Sequence, residues 1–447
     1  MFGLGLGLGL HQNRFGGVGY SNLWYGVKIN TAASTYDAER IGSSTLHKML
    51  PWHNKWRRCI LKDDGTVNYY LHQNNSLLKE DGTPAVLDGT DGQWMVEVPE
   101  HYEMFWQEGD YLCAAVSEYA VPSFTRIPKI YISAGEATVQ RSTSKLSCVI
   151  SNSADYRGGN NAATEDATDK TLLGKPATVI SRTNFRTYAR NRGSVNWNCY
   201  TYDAHRILFW AYITEYANTH CQLAFNAQLT GDGYKQGGLG KGVTDINGTF
   251  WSNWNGYYPF INIGITTSLG NNTGIVQYQM PASYQVVAGN PSTPISVEVP
   301  SYRGIENPFG HIWKNTDGIN VLIQSVADGN LTKVYVSNNP NNFQDTGDTN
   351  YKLVGNASRT EGYIKSLIVD NKGTFMPATV GANSTTYYCD YFYTSIPASG
   401  TSTRTCLLGG SANAGADAGL GCATTNNAPS AAPTAFGSRL CYITEFR

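Results

Sequence analysis

The chain has 447 residues, with 33 basic against 34 acidic side chains and a net charge of −1, a balance that argues against nucleic acid or an anionic membrane as partner. Charged residues make up 15% of the total, while Tyr numbers 29, Trp 10 and Gly 47. That is the profile of aromatic-rich, turn-rich β structure with exposed recognition surfaces, as on an extracellular or virion protein.

The length suits two ordinary domains or one large irregular one. The nine cysteines, Cys59, Cys113, Cys148, Cys199, Cys221, Cys389, Cys406, Cys422 and Cys441, are odd in number and include no CxxC pair. They argue against a zinc site or a dense disulfide framework and for buried thiols that behave as small hydrophobes. A Cys406–Cys441 bridge remains an open alternative.

In chain order, the opening MFGLGLGLGL puts every Leu on one face of an extended strand. It has no basic n-region or cleavage site and is too short to span a bilayer. It reads either as an arm, residues 1–20, that docks on a larger assembly or on copies of itself, or as a loose terminus. Gly16, Gly17 and Gly19 form a hinge after it. Residues 21–95 read as a small β-rich region of short strands broken by the Asp-Gly turns at Asp64-Gly65, Asp81-Gly82, Asp88-Gly89 and Asp91-Gly92. These lack the spacing and closing Glu of a calcium loop. Trp52, Trp56, Arg57 and Arg58 are expected against that sheet, and a boundary is expected near residue 95.

Two segments have helical spacing. Residues 183–192 follow the cap candidate Ser181 and stop at Gly193, with Phe185, Tyr188 and Ala189 on one face. Residues 201–218 begin with a cap candidate and the acidic first-turn residue Asp203, and Ala204, Ile207, Leu208, Ala211 and Tyr212 recur at helical intervals. The glycine-rich stretch 231–242 ends near Lys241 but lacks the GxxxxGK[ST] spacing, so it reads as a surface loop. Trp313 is the expected core aromatic of the segment 301–321.

From 411 to 435 almost nothing is large, so the segment cannot bury enough apolar surface to hold itself. Composition alone reads as a disordered tail. Yet TCLLGG opens the stretch as a strand stopping at a glycine pair, and FGSRLCYI closes it as a core strand. A small-residue loop tied at both ends by strands is a displayed loop.

GGSANAGADAGL, NNAPS and GSRLCYI resemble the C-terminal end of the variable proteins of diversity-generating retroelements from phages and prophages of Bacteroides-type bacteria. Three further segments carry the likeness. MVEVPEHY with RIPKIYI and GEA is similar to the entry of phage tail proteins with a C-type lectin-like fold. YTYDAHRILFWAYITEYA stands where relatives of the formylglycine-generating enzyme carry a WYDA-type helix, and SYRGIENPFGHIWKNTDGINV resembles their GNVWEW-like segment.

The resemblance implies an α+β, β- and loop-rich C-type lectin-like domain of the formylglycine-generating enzyme branch over 96–447. It has two main helices, follows the small β-rich region, and carries a variable region at about 387–443. In that family, copying errors at template adenines turn Asn codons into codons for many residues, and the neighbours of Asn413, Asn426 and Asn427 belong to that set. The implied binding face is Ser411, Ala414, Asp417, Gly421, Ala423, Thr425, Ala431, Pro433 and Phe436.

The implied function is non-enzymatic host attachment at a virion tail-fibre tip, without cofactor or metal. The partners are a host cell-surface receptor, protein or glycan, and phage tail proteins. The chain is expected as a homo-oligomer, with a trimer as one candidate state, and without nucleic acid or membrane insertion. The family's cysteine spacing is not met by Cys406, Cys422 and Cys441. Hydrolase candidates Glu298, Glu306, Asp317, Asp390, Ser301 and His311 show no specific spacing. A fixed lectin or a structural tail subunit is the alternative. The lectin would call for aromatic platforms, and no Trp or Tyr lies between Leu407 and Leu440.

Overall fold

The computed structural model describes residues 20–246, 256, 259–281 and 295–447. The expected N-terminal arm and its Gly16, Gly17 and Gly19 hinge lie outside the described residues, apart from residue 20. Both segments with helical spacing are helices that start at their expected caps. Helix α1, Ser44–Met49, was not apparent from the sequence; it is a short turn capped by the Ser43 side chain. Helix α2 spans Arg182–Arg190, with the Ser181 hydroxyl accepting the Asn184 N–H at 3.3 Å. Helix α3 spans Tyr202–Tyr216, with the Thr201 hydroxyl accepting the Ala204 N–H at 3.2 Å. Every residue of α3 except Asp203 is buried. It has no polar face and serves as the central rod on which sheets pack.

These three are the α-helices among the described residues, and strands supply the rest of the regular structure. The fold is therefore a β-rich α+β arrangement. A five-stranded antiparallel sheet runs in the order Glu39–Gly42, Trp24–Asn30, Tyr111–Ser117, His101–Glu108, Thr125–Ile127. A seven-stranded sheet follows the order Trp197–Cys199, Leu440–Ile443, Ile130–Ser133, Gln93–Val98, Arg57–Leu61, Val67–His72, Asn75–Lys79.

Both sheets mix strands from before and after residue 95, so the expected boundary there does not separate two units. The main core cluster likewise runs from Tyr25 to Cys441. The repeated Asp-Gly-Thr triplets are turns for a local reason. Asp64, Asp81 and Asp88 each accept the N–H of the Thr two residues on, at 2.8, 2.9 and 2.9 Å. Trp52, Trp56 and Arg58 are buried as expected.

The largest sheet is mixed and built around the long strand Trp313–Gln324. That strand pairs on one side with Thr332–Val336 and on the other with Thr401–Leu408. Beyond Thr401–Leu408 come Ala423–Thr424, Tyr391–Tyr393, Gly362–Val369 and Phe375–Val380. Phe436–Gly437 joins the start of the long strand in parallel. The two strands expected to bracket the small-residue stretch are thus present, and the closing one, Leu440–Ile443, lies inside the seven-stranded sheet. Arg439 precedes it fully buried, donating to the carbonyls of Ser133, Gly135 and Asn307 at 3.1, 3.0 and 2.6 Å. This arginine rivets the chain end to the scaffold.

No described helix is long and apolar enough to cross a membrane.

Candidate functional site

The stretch 409–435 is not one loop. After Leu408 the chain turns through Gly409 and Gly410, at φ 93° and 80°, a region that favours glycine. A first window leads through the short 3-10 helix Gly415–Asp417. The strand Ala423–Thr424 then enters the large sheet, antiparallel to Leu407-Leu408 and parallel to Phe392-Tyr393. A second window, 425–435, leads to Phe436.

Main-chain bonds to the scaffold hold both windows. The Ala412 N–H donates to His311 O and the Gly415 N–H to Thr244 O, both at 2.9 Å. The Gln222 amide donates to the carbonyls of Gly415 and Ala418 at 3.0 and 2.6 Å. His205 Nε2 bonds Leu420 O at 2.6 Å, and Asp390 Oδ2 accepts the Gly421 N–H at 2.6 Å. In the second window the Thr425 N–H donates to Tyr393 O. Asn427 O accepts the Thr405 N–H, Pro429 O the Arg182 N–H, and Ala435 O the Trp313 N–H. A segment that cannot bury itself is fastened backbone-first, and small residues allow that approach.

The nine expected binding residues therefore divide. Ser411, Gly421, Ala423, Thr425 and Phe436 are buried. Their place on a binding face is corrected: they sit where the chain is drawn into the sheet or against the core. Ala414, Asp417 and Ala431 are half-buried and Pro433 is exposed. Asn413 and Ala416 are exposed beside them, and Asn426, Asn427 and Ala428 are partly so. The displayed positions thus fall at 413–417, 426–428 and 430–435.

Next to the first window lies a row of rings that the linear order conceals. Tyr391 and Tyr393 alternate with the core residue Phe392, so both face outward. Tyr363 sits directly across from Tyr391. Ring centroids are 5.1 Å apart for Tyr363 and Tyr391, 4.5 Å for Tyr391 and Tyr393, and 6.0 Å for Trp313 and Tyr393. All four are half-buried, which corrects the reading of Trp313 as a core aromatic. The Tyr393 hydroxyl donates to Asp417 Oδ2 at 2.5 Å, and burial with this carboxylate drives the phenol's pKa up. Burial and the Asp417 carboxylate raise the Tyr363 phenol as well. Exposed Glu361 accepts the Thr394 N–H at 2.9 Å and the Asn426 amide at 3.3 Å.

Most of the hydrolase candidates are bonded into the scaffold, and Ser301 stands directly opposite Glu306 on paired strands. Asp317 pairs with Arg186 at 2.5 Å, Glu306 accepts the N–H groups of Gly264 and Thr266, and Glu298 accepts the Lys241 N–H. His311 bonds Glu136 through Nδ1 at 2.5 Å and accepts the N–H groups of Phe260 and Ile261 at Nε2, both at 3.1 Å. The ring thus ties Glu136 to the main chain at residues 260–261. Buried Ser301 and Asp390 lie on separate strands or loops of the fold.

All nine cysteines are free and buried, Cys406 and Cys441 among them, and burial pushes those two thiols up to about 12. They are inert thiols at neutral pH. Among the described residues, no group of three His, Cys, Asp or Glu side chains could hold a metal ion.

No protein-family model matches this chain, and no curated protein matches it either.

Proposed function

We propose that this chain is a receptor-binding protein of a tailed phage or prophage, built on a C-type lectin-like scaffold of the formylglycine-generating enzyme branch. Its two C-terminal windows display side chains diversified by a retroelement, and it works by binding without catalysis. The observation that carries this reading is the mode of fastening. Both windows are held through their backbone, the first also by buried His205 and Asp390 and by Gln222, which bond main-chain groups of residues 415–421. Exposed side chains can therefore be exchanged without loosening the loop, which is what a diversified surface requires. Residues 1–20 would dock on tail proteins, and several copies in a homo-oligomer would add avidity for a host receptor.

The test is deep sequencing of the last sixty codons across a phage or prophage population, with a search of flanking DNA for a near-copy. The expected substitutions fall where the near-copy has adenine, at 413–417, 426–428 and 430–435, and spare Ser411, Gly421, Ala423, Thr425 and Pro429. A uniform stretch without a near-copy would sink the reading and leave a fixed lectin or a structural tail subunit.

The fixed lectin has an observation in its favour in the four half-buried aromatic rings gathered from other strands beside Asp417.

A further inference from the structure

We propose that residues 2–10 fold back over the outer face of the five-stranded sheet of their own chain and seat their leucine row against Trp24, Met104 and Trp106. The inference concerns the N-terminal end and stands apart from the reading of the C-terminal windows.

The receiving face is unusual for a sheet. Alternate residues along each strand face the core. Val27, Ile29, Phe105, Ala114 and Val116 do so and join the main core cluster, with the Phe105 ring 5.1 Å from that of Trp210 on α3. On the opposite face the register aligns Gly26, Ala115 and Met104 in one row, with Cys113 beside Trp106 and Trp24 beside Ser117 in the rows flanking it. A sheet face turned to water carries polar side chains at such positions, whereas most of these are small or aromatic. Met104, Cys113 and Ala115 are buried yet belong to none of the core clusters of the described residues. Ring centroids are 6.3 Å apart for Trp24 and Trp106 and 6.2 Å for Trp24 and Phe124, and all three rings are half-buried.

The path of the chain selects the occupant. Just before Trp24–Asn30 a turn closes, with the Leu23 N–H donating to Tyr20 O at 3.0 Å. Ser117 Oγ donates to Leu23 O at 2.7 Å and pins this turn to the sheet. A turn there sends the preceding residues back along the strand. Both edges of that strand are taken, by Glu39–Gly42 and Tyr111–Ser117, and α3 packs on the inner side. The outer face is the course that remains.

Residues 2–10, outside the described residues, read FGLGLGLGL. Extended, that sequence puts Phe2, Leu4, Leu6, Leu8 and Leu10 on one side. The link 11–19 holds three glycines and reaches about 30 Å, enough to bring the row over the sheet. So short a tether gives the chain's own arm an effective concentration near millimolar, ahead of a neighbour's arm. Docking of the same residues on a tail protein would exchange this contact for another.

The experiment places bimane, a fluorophore that nearby tryptophan quenches, on Leu6→Cys in the full chain. All nine native cysteines are buried, so the label goes to the introduced thiol. Quenched emission is expected, unchanged on dilution. Trp24→Phe with Trp106→Phe keeps both aromatic rings in the sheet and should restore the brightness. Leu4→Ser with Leu8→Ser leaves the folded body untouched and is expected to weaken docking by more than about ten-fold, which also restores it. Full brightness in the parent chain, or quenching that survives the double phenylalanine or the double serine variant, overturns the proposal. Quenching that fades on dilution also overturns it, by placing the arm on a neighbouring copy.

Discussion

Gly419 and Asp390 show how single residues make the displayed stretch possible. A Cβ at Gly419 would fall onto the Asp390 carboxylate, and one at Gly421 would lie 3.0 Å from Asp390 Oδ2. Gly419→Ala is therefore expected to lower stability by roughly 1–3 kcal/mol through overpacking. Ala416→Ser, on the exposed side of the same window, should stay within about 0.5 kcal/mol. Urea denaturation of the two variants checks the contrast, and equal losses would mean that the window is not fastened as described.

Asp390 also sets a pH dependence. Burial drives its carboxyl well above the usual range, only partly offset by the Gly421 N–H. A carboxyl with a raised pKa in the folded state binds more protons there than in the unfolded chain. Its contribution is full below the unfolded value of about 4 and is lost as pH rises toward the folded value. Asp390→Asn keeps an acceptor for Gly421 without the titration. Urea midpoints of wild type should fall relative to this variant as pH rises above about 4. Parallel midpoints across that range would contradict the assignment.

Among the elements, α3 bears the largest electrostatic load. Fully buried Arg206 donates to Glu103 Oε2 at 2.7 Å and to Asp203 Oδ1 at 3.0 Å. Burial alone would raise the Asp203 carboxyl, but Arg447 and Arg206 overcome it and hold the group down to about 2. This contribution is present above the ordinary Asp value of about 4 and is lost as pH falls toward 2, the opposite window from Asp390. Arg206→Ala removes the cation shared by buried Glu103 and half-buried Asp203, leaving Glu103 to His101 and Asp203 to Arg447, and is expected to cost about 3–5 kcal/mol, read from denaturant midpoints at neutral pH. A loss under about 1 kcal/mol would mean that water reaches the pair.

The element scale also shows what could be read from the sequence. The caps Ser181 and Thr201 and the strand pattern of LCYI are local signals, and α2, α3 and the last strand follow them. The row of rings is not local. Tyr363 and Tyr391 meet through sheet order, and Trp313 reaches Tyr393 because Ala423–Thr424 pairs with strands on both sides of it. No window of sequence holds that neighbourhood. The burial of Ser411 and Thr425 was hidden for a related reason, since small polar residues read alike whether they face water or a sheet.

At the scale of the molecule, the failed boundary near residue 95 follows from strand order. Turn-rich β sequence looks the same inside a separate domain as in a strand that crosses to a distant partner. Here Arg57–Leu61 lies between Gln93–Val98 and Val67–His72, and Trp24–Asn30 runs along the whole of Tyr111–Ser117. Arg58, fully buried from the early segment, donates to Gly304 O at 2.8 Å and to Thr266 O at 2.9 Å. Removing residues 20–95 would expose the paired edges of two sheets and leave acceptors of the later segment without this guanidinium. A chain beginning at residue 96 is therefore expected to lack a cooperative melt, whereas co-expression with residues 20–95 restores one by supplying the missing strands in trans. Calorimetry of the truncated and the reconstituted protein decides the point. A sharp transition in the truncated chain alone would make the C-terminal part an independent domain, and the shared sheets would then be a docking of two units rather than one fold.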